Sequence, residues 1–317
     1  MEALILAAGA GTRLLPLTRR KPKPLFPILN LPLLALSLNY LRRQQVRRVI
    51  LNTHHLGGQI DAFIREYSSP IPGQSQVTRP EAEILGTGGG IKNTEDFWEG
   101  DTFLVLNGDI VTDIDLGPAL AYHRHHGGPV TLILQDYPEH NNVVLGPDGC
   151  IGRFRDPAGN RAFTGLHLLD RRIFDFLPPV AFFDIIPVYQ GLIDQGTAVR
   201  GYPAGPHYWR DMGHPDSYRR LHRDILSGVF DPGLVFPCRK QEGAPTWCVD
   251  PRAEIATGVL LEGWGAVGAR SRLHPGCRIR DSILWEGVEV GEGVVIEHSI
   301  VGDGLVIDKN IINEIIC

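Results

Sequence analysis

Several common features are scarce or missing in this chain, and each gap narrows what it can do. No apolar run approaches the about 20 residues that a helix needs to cross a bilayer. The opening residues carry no basic segment with an apolar stretch and a small-residue cleavage site, so no secretory signal is expected and the reading is cytoplasmic. Basic charge is in deficit: 31 Lys and Arg against 36 Asp and Glu give a net charge of −5, which offers nucleic acid no electrostatic footprint. Cysteines are few and scattered, at Cys150, Cys238, Cys248, Cys277 and Cys317, with no C-x-x-C pair. They are expected to be free thiols, neither a zinc site nor a disulfide frame. What remains, 43% hydrophobic and 21% charged, is the composition of a globular protein, and 317 residues suggest one large and one smaller domain or two of middling size.

The most informative stretch lies near the start. Ala3-Leu4-Ile5-Leu6 reads as a short buried strand. Glycines follow at Gly9 and Gly11, then fixed cations at Arg13 and Lys23. Glycines after a strand let backbone N–H groups close on a phosphate, and two cations from one loop can neutralise a triphosphate. The dinucleotide fingerprint fails because Leu14 stands where its third glycine belongs, and no Gly-Lys-Ser/Thr follows to make a P-loop.

Taken in order and spacing, Gly9-Ala10-Gly11-Thr12-Arg13-Leu14, Pro16-Leu17-Thr18 and Pro22-Lys23-Pro24 resemble the signature of the sugar-1-phosphate nucleotidyltransferases, also called nucleotide-sugar pyrophosphorylases. The resemblance runs by motif to about Leu226 and by architecture through the tail. It implies transfer of a nucleotidyl group from a nucleoside triphosphate to a sugar 1-phosphate. Arg13 would hold the β- and γ-phosphates and Lys23 the α-phosphate. Leu6, Ala8, Gly9, Gly11, Thr12 and Asn107 would surround the nucleotide. The attacking phosphate oxygen is already anionic, so no general base is needed, in keeping with the absence of a His or Ser constellation.

Two further segments carry acidic groups beside glycine: Asn107-Gly108-Asp109 after an apolar run, and Trp209-Arg210-Asp211-Met212-Gly213. A carboxylate at a strand tip is placed to hold Mg²⁺ against a phosphate. The resemblance implies that Asp109 and Asp211 bind the Mg²⁺ cofactor. Leu85-Gly86-Thr87-Gly88-Gly89-Gly90 is a second glycine loop, expected to precede a helix and to cup the nucleobase through Gly86, Thr87 and Gly88, with Glu81 just upstream. On the sugar side, many family members carry Phe-x-Glu-Lys-Pro, where this chain has Phe154-Arg155-Asp156-Pro157. Both sugar-phosphate residues are replaced there, and Arg155 or Arg153 is the candidate substitute. Phe163-Thr164-Gly165 and Asp184-Ile185-Ile186-Pro187 match later sugar-lining segments, so Thr164, Gly165 and Asp184 join the set. The replaced residues and the triple glycine look like N-acetylmuramate-1-phosphate uridylyltransferases, whereas the tail looks like mannose-1-phosphate guanylyltransferases.

The implied fold is α/β. Runs at Val49–Asn52, Phe103–Asn107 and Pro129–Leu134 alternate with helical patterns at 33–45 and 115–126, which calls for a Rossmann-like nucleotide-binding domain with a mostly parallel mixed sheet. A stretch rich in Gly and Pro, from Gly228 through Gly243 and Pro245, reads as a linker. Beyond it aliphatics recur every six residues: Ile255, Leu261, Val267, Leu273 and Ile279; then Leu284, Val290 and Ile296; then Val288, Val294, Ile300, Val306 and Ile312. A six-residue period with recurrent glycine marks a short left-handed hexapeptide β-helix. The expected domains are 1–227 (catalytic), 228–247 (linker) and 248–317 (β-helix). The apolar end at Ile311, Ile312, Ile315 and Ile316 implies a homo-oligomer through the β-helix.

Other chemistries are weighed against this. Asp113-Ile114-Asp115 could be the D-x-D metal motif of a glycosyltransferase that consumes a nucleotide-sugar, but Asp115 reads better as a helix cap. His54-His55 and His123, His125 and His126 lack metal-ligand spacing and read as solvated or core histidines. His274 and His298 leave a thin case for acyl transfer. A catalytically inactive regulatory homologue would keep the fold while losing the intact Arg13, Lys23, Asp109 and Asp211.

Overall fold

The structure is a computed structural model, and it describes residues 1–66, 73–239 and 246–317. Part of the expected linker, including Gly243 and Pro245, lies outside the described residues. The chain divides into two compact units: Met1–Ala10 with Tyr40–Trp209, and Gly11–Asn39 with Arg210–Cys317. Among the described residues no helix is long and apolar enough to cross a membrane.

The first unit is built on seven strands: β1 (Glu2–Leu6), β2 (Arg48–Thr53), β3 (Ser75–Pro80), β4 (Thr102–Asn107), β5 (Val130–Gln135), β6 (Ala162–Asp170) and β7 (Val199–Pro203). They lie in the order β7-β5-β6-β4-β1-β2-β3. All neighbours are parallel except β6, which is antiparallel to both β4 and β5. This is the mostly parallel mixed α/β sheet that the strand–helix alternation implies. The strands of the middle are largely apolar, as a sheet covered on both faces requires, and Leu4, Val105 and Leu132 are fully buried in its core.

Among the described residues the α-helices are six: α1 (Leu33–Arg43), α2 (Gly57–Glu66), α3 (Gly86–Lys92), α4 (Leu116–His126), α5 (Ile185–Asp194) and α6 (Pro215–Leu226). α1 starts in the second unit and ends in the first. α4 is capped as its sequence implies, Asp115 accepting from the Gly117 N–H at 2.9 Å. Near the end of α4, His123 is buried with Nδ1 2.8 Å from Thr131 Oγ1, so it is a core histidine.

In the second unit, the segment after residue 245 forms parallel ladders. Glu254 pairs with Arg272, Arg272 with Glu289, and Glu289 with Val306, a step of 17 or 18 residues. A second ladder takes Leu261 to Ile279 and Ile279 to Ile296 in the same step. Val267, Leu273, Ile279, Leu284, Val290 and Ile296 share one buried core. The third six-residue register departs from expectation after Ile300, with Val306 71% and Ile312 52% exposed and Ile307 and Ile311 buried instead. Val306 pairs with Glu289 and Ile312 with Glu297, while Ile307 and Ile311 align with the buried Val290 and Ile296, so strict counting by six falls out of phase with the ladders.

A second departure concerns the cysteines. Cys238 and Cys248 form a disulfide with Cα atoms 4.8 Å apart, leaving Cys150, Cys277 and Cys317 as free thiols. The Arg239 N–H donates to Val249 O at 2.8 Å, and that antiparallel bridge sets Cys238 alongside Cys248. The pairing rests on that bridge, which spacing alone does not reveal.

Two histidines are fully buried without a charged partner. His167 Nδ1 lies 2.8 Å from Tyr189 OH, and His222 Nε2 donates to Pro27 O at 3.1 Å, a carbonyl that can only accept. Burial pushes both down to about 3. The folded protein therefore keeps them neutral while the unfolded chain protonates them near 6.5, so their contribution is complete above pH 6.5 and is lost as pH falls below it. Each should cost about 1.4 kcal/mol per pH unit in that range. Melting temperature should fall steeply from pH 6.5 to 5, and His222→Gln, which keeps an N–H for Pro27, should flatten the decline. A wild-type curve flat over that interval would contradict the assignment.

Candidate active site

The carboxyl ends of β2, β1 and β4 stand level, because Leu6 pairs with both Asn52 and Asn107. In open α/β sheets this edge is where ligands bind. The chain leaves β1 through Ala7 and Ala8 into Gly9. There Asn52, 2% exposed, accepts from the Ala7 N–H at 2.7 Å and donates through Nδ2 to Glu81 Oε1 at 2.8 Å. The second oxygen, Glu81 Oε2, accepts from the Leu85 N–H at 3.0 Å. Glu81 is thus neither a solvated surface residue nor a group left open to a base. Its buried carboxylate clamps the start of the first glycine loop to the entry of the second. Asn52 is missing from the sequence reading; its only signal there is a polar residue closing an apolar strand, as Asn107 does.

The second glycine segment does not precede a helix but is one, α3. A Cβ on Gly90 would sit 2.7 Å from Asn52 Nδ2, so bare backbone is required for the helix to approach the clamp. The N–H groups of Gly88 and Gly89 donate to Phe183 O at 2.9 and 3.2 Å, which corrects the expectation that the Gly88 amide reads a base edge. Thr87 Oγ1 accepts from the Ile185 N–H at 2.9 Å, capping α5 from outside. Asp184, at the cap position of that helix, makes no capping bond and is exposed. Its carboxylate is free of that duty beside a helix N-terminus.

β6 carries a register shift between Phe163 and His167, a bulge of the kind that re-aims side chains near sites. Gly165 lies in it at φ +79, and a Cβ there would be 2.9 Å from Asn107 Nδ2, so Gly165 and Asn107 meet at the end of β4. Thr164 is a correction: it is fully buried, its hydroxyl donates to Ile133 O at 2.7 Å, and its carbonyl accepts from Trp209 Nε1 at 2.8 Å. Its polar atoms are taken up in the core. Arg155 is exposed at the end of a short hairpin and holds a left-handed φ of +54. Asp109, half-buried, follows Gly108, whose N–H donates to Leu6 O at 3.0 Å. The D-x-D pair is committed elsewhere: Asp113 accepts from the Tyr208 N–H at 2.9 Å, and Asp115 caps α4.

Within the second unit, Gly11 turns in the left-handed region, and the Leu14 N–H and Thr18 hydroxyl both reach its carbonyl, at 2.9 and 3.2 Å. Thr12 is exposed. Lys23 Cβ lies 3.6 Å from where a Gly11 Cβ would stand, so the catalytic candidate rests against the turn. The Arg13 guanidinium lies flat on Gly213, where any Cβ would come within 2.8 Å, and its Nη1 is 3.1 Å from His214 Nε2. Asp211, half-buried, is two residues from Gly213, and its carbonyl accepts from the Ser217 hydroxyl. Arg13 and the Asp211–His214 segment are thus brought together, 201 residues apart in sequence at the Arg13–His214 contact. His214 is a second residue the sequence reading passes over.

Among the described residues no three His, Cys, Asp or Glu side chains group closely enough to cage a metal. Mg²⁺ is commonly held by one or two carboxylates, with phosphate and water completing its octahedron. The hard oxygen donors of Asp109 and of Asp211 suit it.

The nucleotidyl transferase family profile matches residues 2–228, and the GMPPB C-terminal domain profile matches residues 244–316. A mannose-1-phosphate guanylyltransferase of Mycobacterium tuberculosis is 31% identical over 303 residues, covering 92% of this chain and 81% of that protein. A UTP–glucose-1-phosphate uridylyltransferase of Synechocystis sp. is 27% identical over 329 residues, covering 92% and 84%. The crystal structure of HddC from Yersinia pseudotuberculosis shares the fold, with a TM-score of 0.61 at 24% identity over 71% of this chain and 99% of that one.

Proposed function

The chain belongs to the nucleotidyl transferase family and is a sugar-1-phosphate nucleotidyltransferase, and on that premise we propose that it joins GTP and mannose 1-phosphate into GDP-mannose and pyrophosphate. The observation that supports the choice of substrates is that the tail matches the GMPPB C-terminal domain at residues 244–316, while identity to the mannose-1-phosphate guanylyltransferase of M. tuberculosis is 31% against 27% for the uridylyltransferase over the same share of the chain. A second reading, uridylyl transfer to N-acetylmuramate 1-phosphate, is favoured by Arg155-Asp156 standing where the family pattern has Glu-Lys. Pyrophosphate release measured across five triphosphates and several sugar 1-phosphates decides between them. GTP with mannose 1-phosphate should exceed every other pair by at least about tenfold, and a faster rate with UTP and N-acetylmuramate 1-phosphate would overturn the choice.

A sugar-phosphate oxygen attacks the α-phosphorus in line. A new P–O bond forms, the bond to the β-phosphate oxygen breaks, and pyrophosphate leaves with the electron pair. Lys23 stabilises charge on the α-phosphate, and Arg13 holds the departing β- and γ-phosphates. Backbone around Leu6, Ala8, Gly9, Gly11 and Thr12 receives the triphosphate, and Gly86, Thr87 and Asn107 border the nucleoside. Asp184, Gly165 and Arg155 receive the sugar phosphate. Asp109 and Asp211 are each assigned as Mg²⁺ ligands, and the bound ion would supply charge neutralisation on the phosphates. Catalysis is then mostly alignment and electrostatics.

Residues 1–227 are assigned as the catalytic domain, 228–247 as a linker and 248–317 as a short left-handed β-helix. A step of 17 or 18 residues, close to three hexads, supports the last assignment. Exposed Val306 and Ile312 near its end support a homo-oligomer formed there. Light scattering at micromolar concentration should give a dimer or larger, and Val306→Asp with Ile312→Asp should give a monomer. A monomeric wild type would remove the oligomer.

A further inference from the structure

A continuous line of contacts inside the second unit links the C-terminal ladders to Lys23. Trp285, Tyr218 and Phe26 are buried together, with the Trp285 and Phe26 rings 4.8 Å apart and edge-on. Trp285 Nε1 donates to Tyr218 OH at 3.0 Å, and that hydroxyl donates to Pro27 O at 2.6 Å. Burial pushes the Tyr218 phenol far up, so it keeps the proton it donates. On the other side of Lys23, Lys21 Nζ pairs with Asp303 at 2.7 Å and stands 5.1 Å above the Trp285 ring. Between these anchors the chain is stiff. Pro22 and Pro24 fix their own φ angles, the Leu25 N–H donates to Pro22 O at 2.8 Å, and the Phe26 N–H donates to Lys23 O at 3.0 Å.

Lys23 is therefore held by anchors at Lys21, Phe26 and Pro27, and every one of them is fastened by a residue from beyond position 210. Reacting groups must be aligned closely, and a misplacement of about 1 Å can cost about a hundredfold. We propose that Trp285, Tyr218 and Asp303 are positioning residues for nucleotidyl transfer, acting through Lys23, so that the C-terminal ladders set the geometry of the phosphate loop. This rests on the reading of Lys23 as the group on the α-phosphate.

The test is a pair of double-mutant cycles on the full chain. Trp285→Phe keeps the aromatic packing and loses the bond to Tyr218. Asp303→Asn breaks the Lys21 pair at a partly exposed position where folding is not at stake. Each is measured for kcat, KM and melting temperature, alone and combined with Lys23→Ala. Expected alone is a drop in kcat of about tenfold with triphosphate KM within about twofold; the melting temperature should hold for Asp303→Asn and fall for Trp285→Phe, which leaves a cavity in the buried core. In the Lys23→Ala background neither change should lower kcat further, because the group they position is gone. Equal losses in both backgrounds would make these residues mere packing and overturn the proposal, as would unchanged kcat in both single variants. If Lys23→Ala itself turns over at the wild-type rate, the reading of Lys23 fails, and this inference with it.

Discussion

Asp109→Asn should lower turnover on the order of a hundredfold or more while leaving the protein folded. The substitution changes charge and almost nothing else. The backbone that carries Asp109 is fixed by its neighbour: the Gly108 N–H donates to Leu6 O at 3.0 Å, and a Cβ on Gly108 would stand 2.5 Å from that same oxygen. Position 109 is thus pinned to the end of β1, where the first glycine loop begins, and asparagine fits the same half-buried space. What it cannot do is present an anionic oxygen to Mg²⁺. Losing one charge-assisted contact costs about 1.5–3 kcal/mol, or about tenfold to a hundredfold, and loss of the metal itself adds to that. Asp211→Asn should behave alike. The measurement is pyrophosphate release over a Mg²⁺ titration, with melting temperature as the control for folding. Near-wild-type turnover by either variant at saturating Mg²⁺ would sink that residue's assignment as a ligand.

Much of this site was legible because its signals are local. An apolar run followed by glycine and a fixed cation needs only a few residues to be recognised, and so does Asp115 before a helix. The six-residue aliphatic period was equally plain up to Ile300. Residues whose role comes from alignment between distant strands were not. Asn52 and Glu81 are 29 residues apart and meet only because β2 and β3 are neighbours; in sequence Glu81 reads as a candidate beside the nucleobase, not as a clamp on Asn52. Thr164 shows the opposite failure, since a motif match cannot tell a hydroxyl facing a sugar from one given to Ile133 O. The Cys238–Cys248 pair and the docking of Arg13 on Gly213 belong to the same class. Val306 and Ile312 depart because the ladders align them with Glu289 and Glu297, a register that counting by six along the chain does not show.

Deleting the chain after Ser227 should abolish transferase activity, a different expectation from the one the motifs alone give. Read as motifs, residues 1–227 hold every catalytic candidate and should keep some activity without the tail. The contacts divide the chain differently: Gly11–Asn39, which carries Arg13 and Lys23, clusters with Arg210–Cys317. Phe26, Ile28, Leu29 and Tyr218 are at most 2% exposed, and Asn30 Nδ2 donates to Val267 O at 3.1 Å. Removing the ladders takes away Trp285, which packs on Phe26, and the partners of Lys21 and Asn30. Re-exposing a large apolar side chain costs about 1.5–3 kcal/mol, so a few of them rival the about 5–15 kcal/mol that holds a whole domain. The first unit has its own core, from Leu4 and Val105 to Leu169 and Tyr189, and should survive as a folded sheet. The truncated protein should therefore keep near-native strand and helix content by circular dichroism, lose amide protection in residues 11–32, and release no pyrophosphate above background. Turnover within about tenfold of the full chain would show that the loop holds its shape without the ladders and would overturn the expectation.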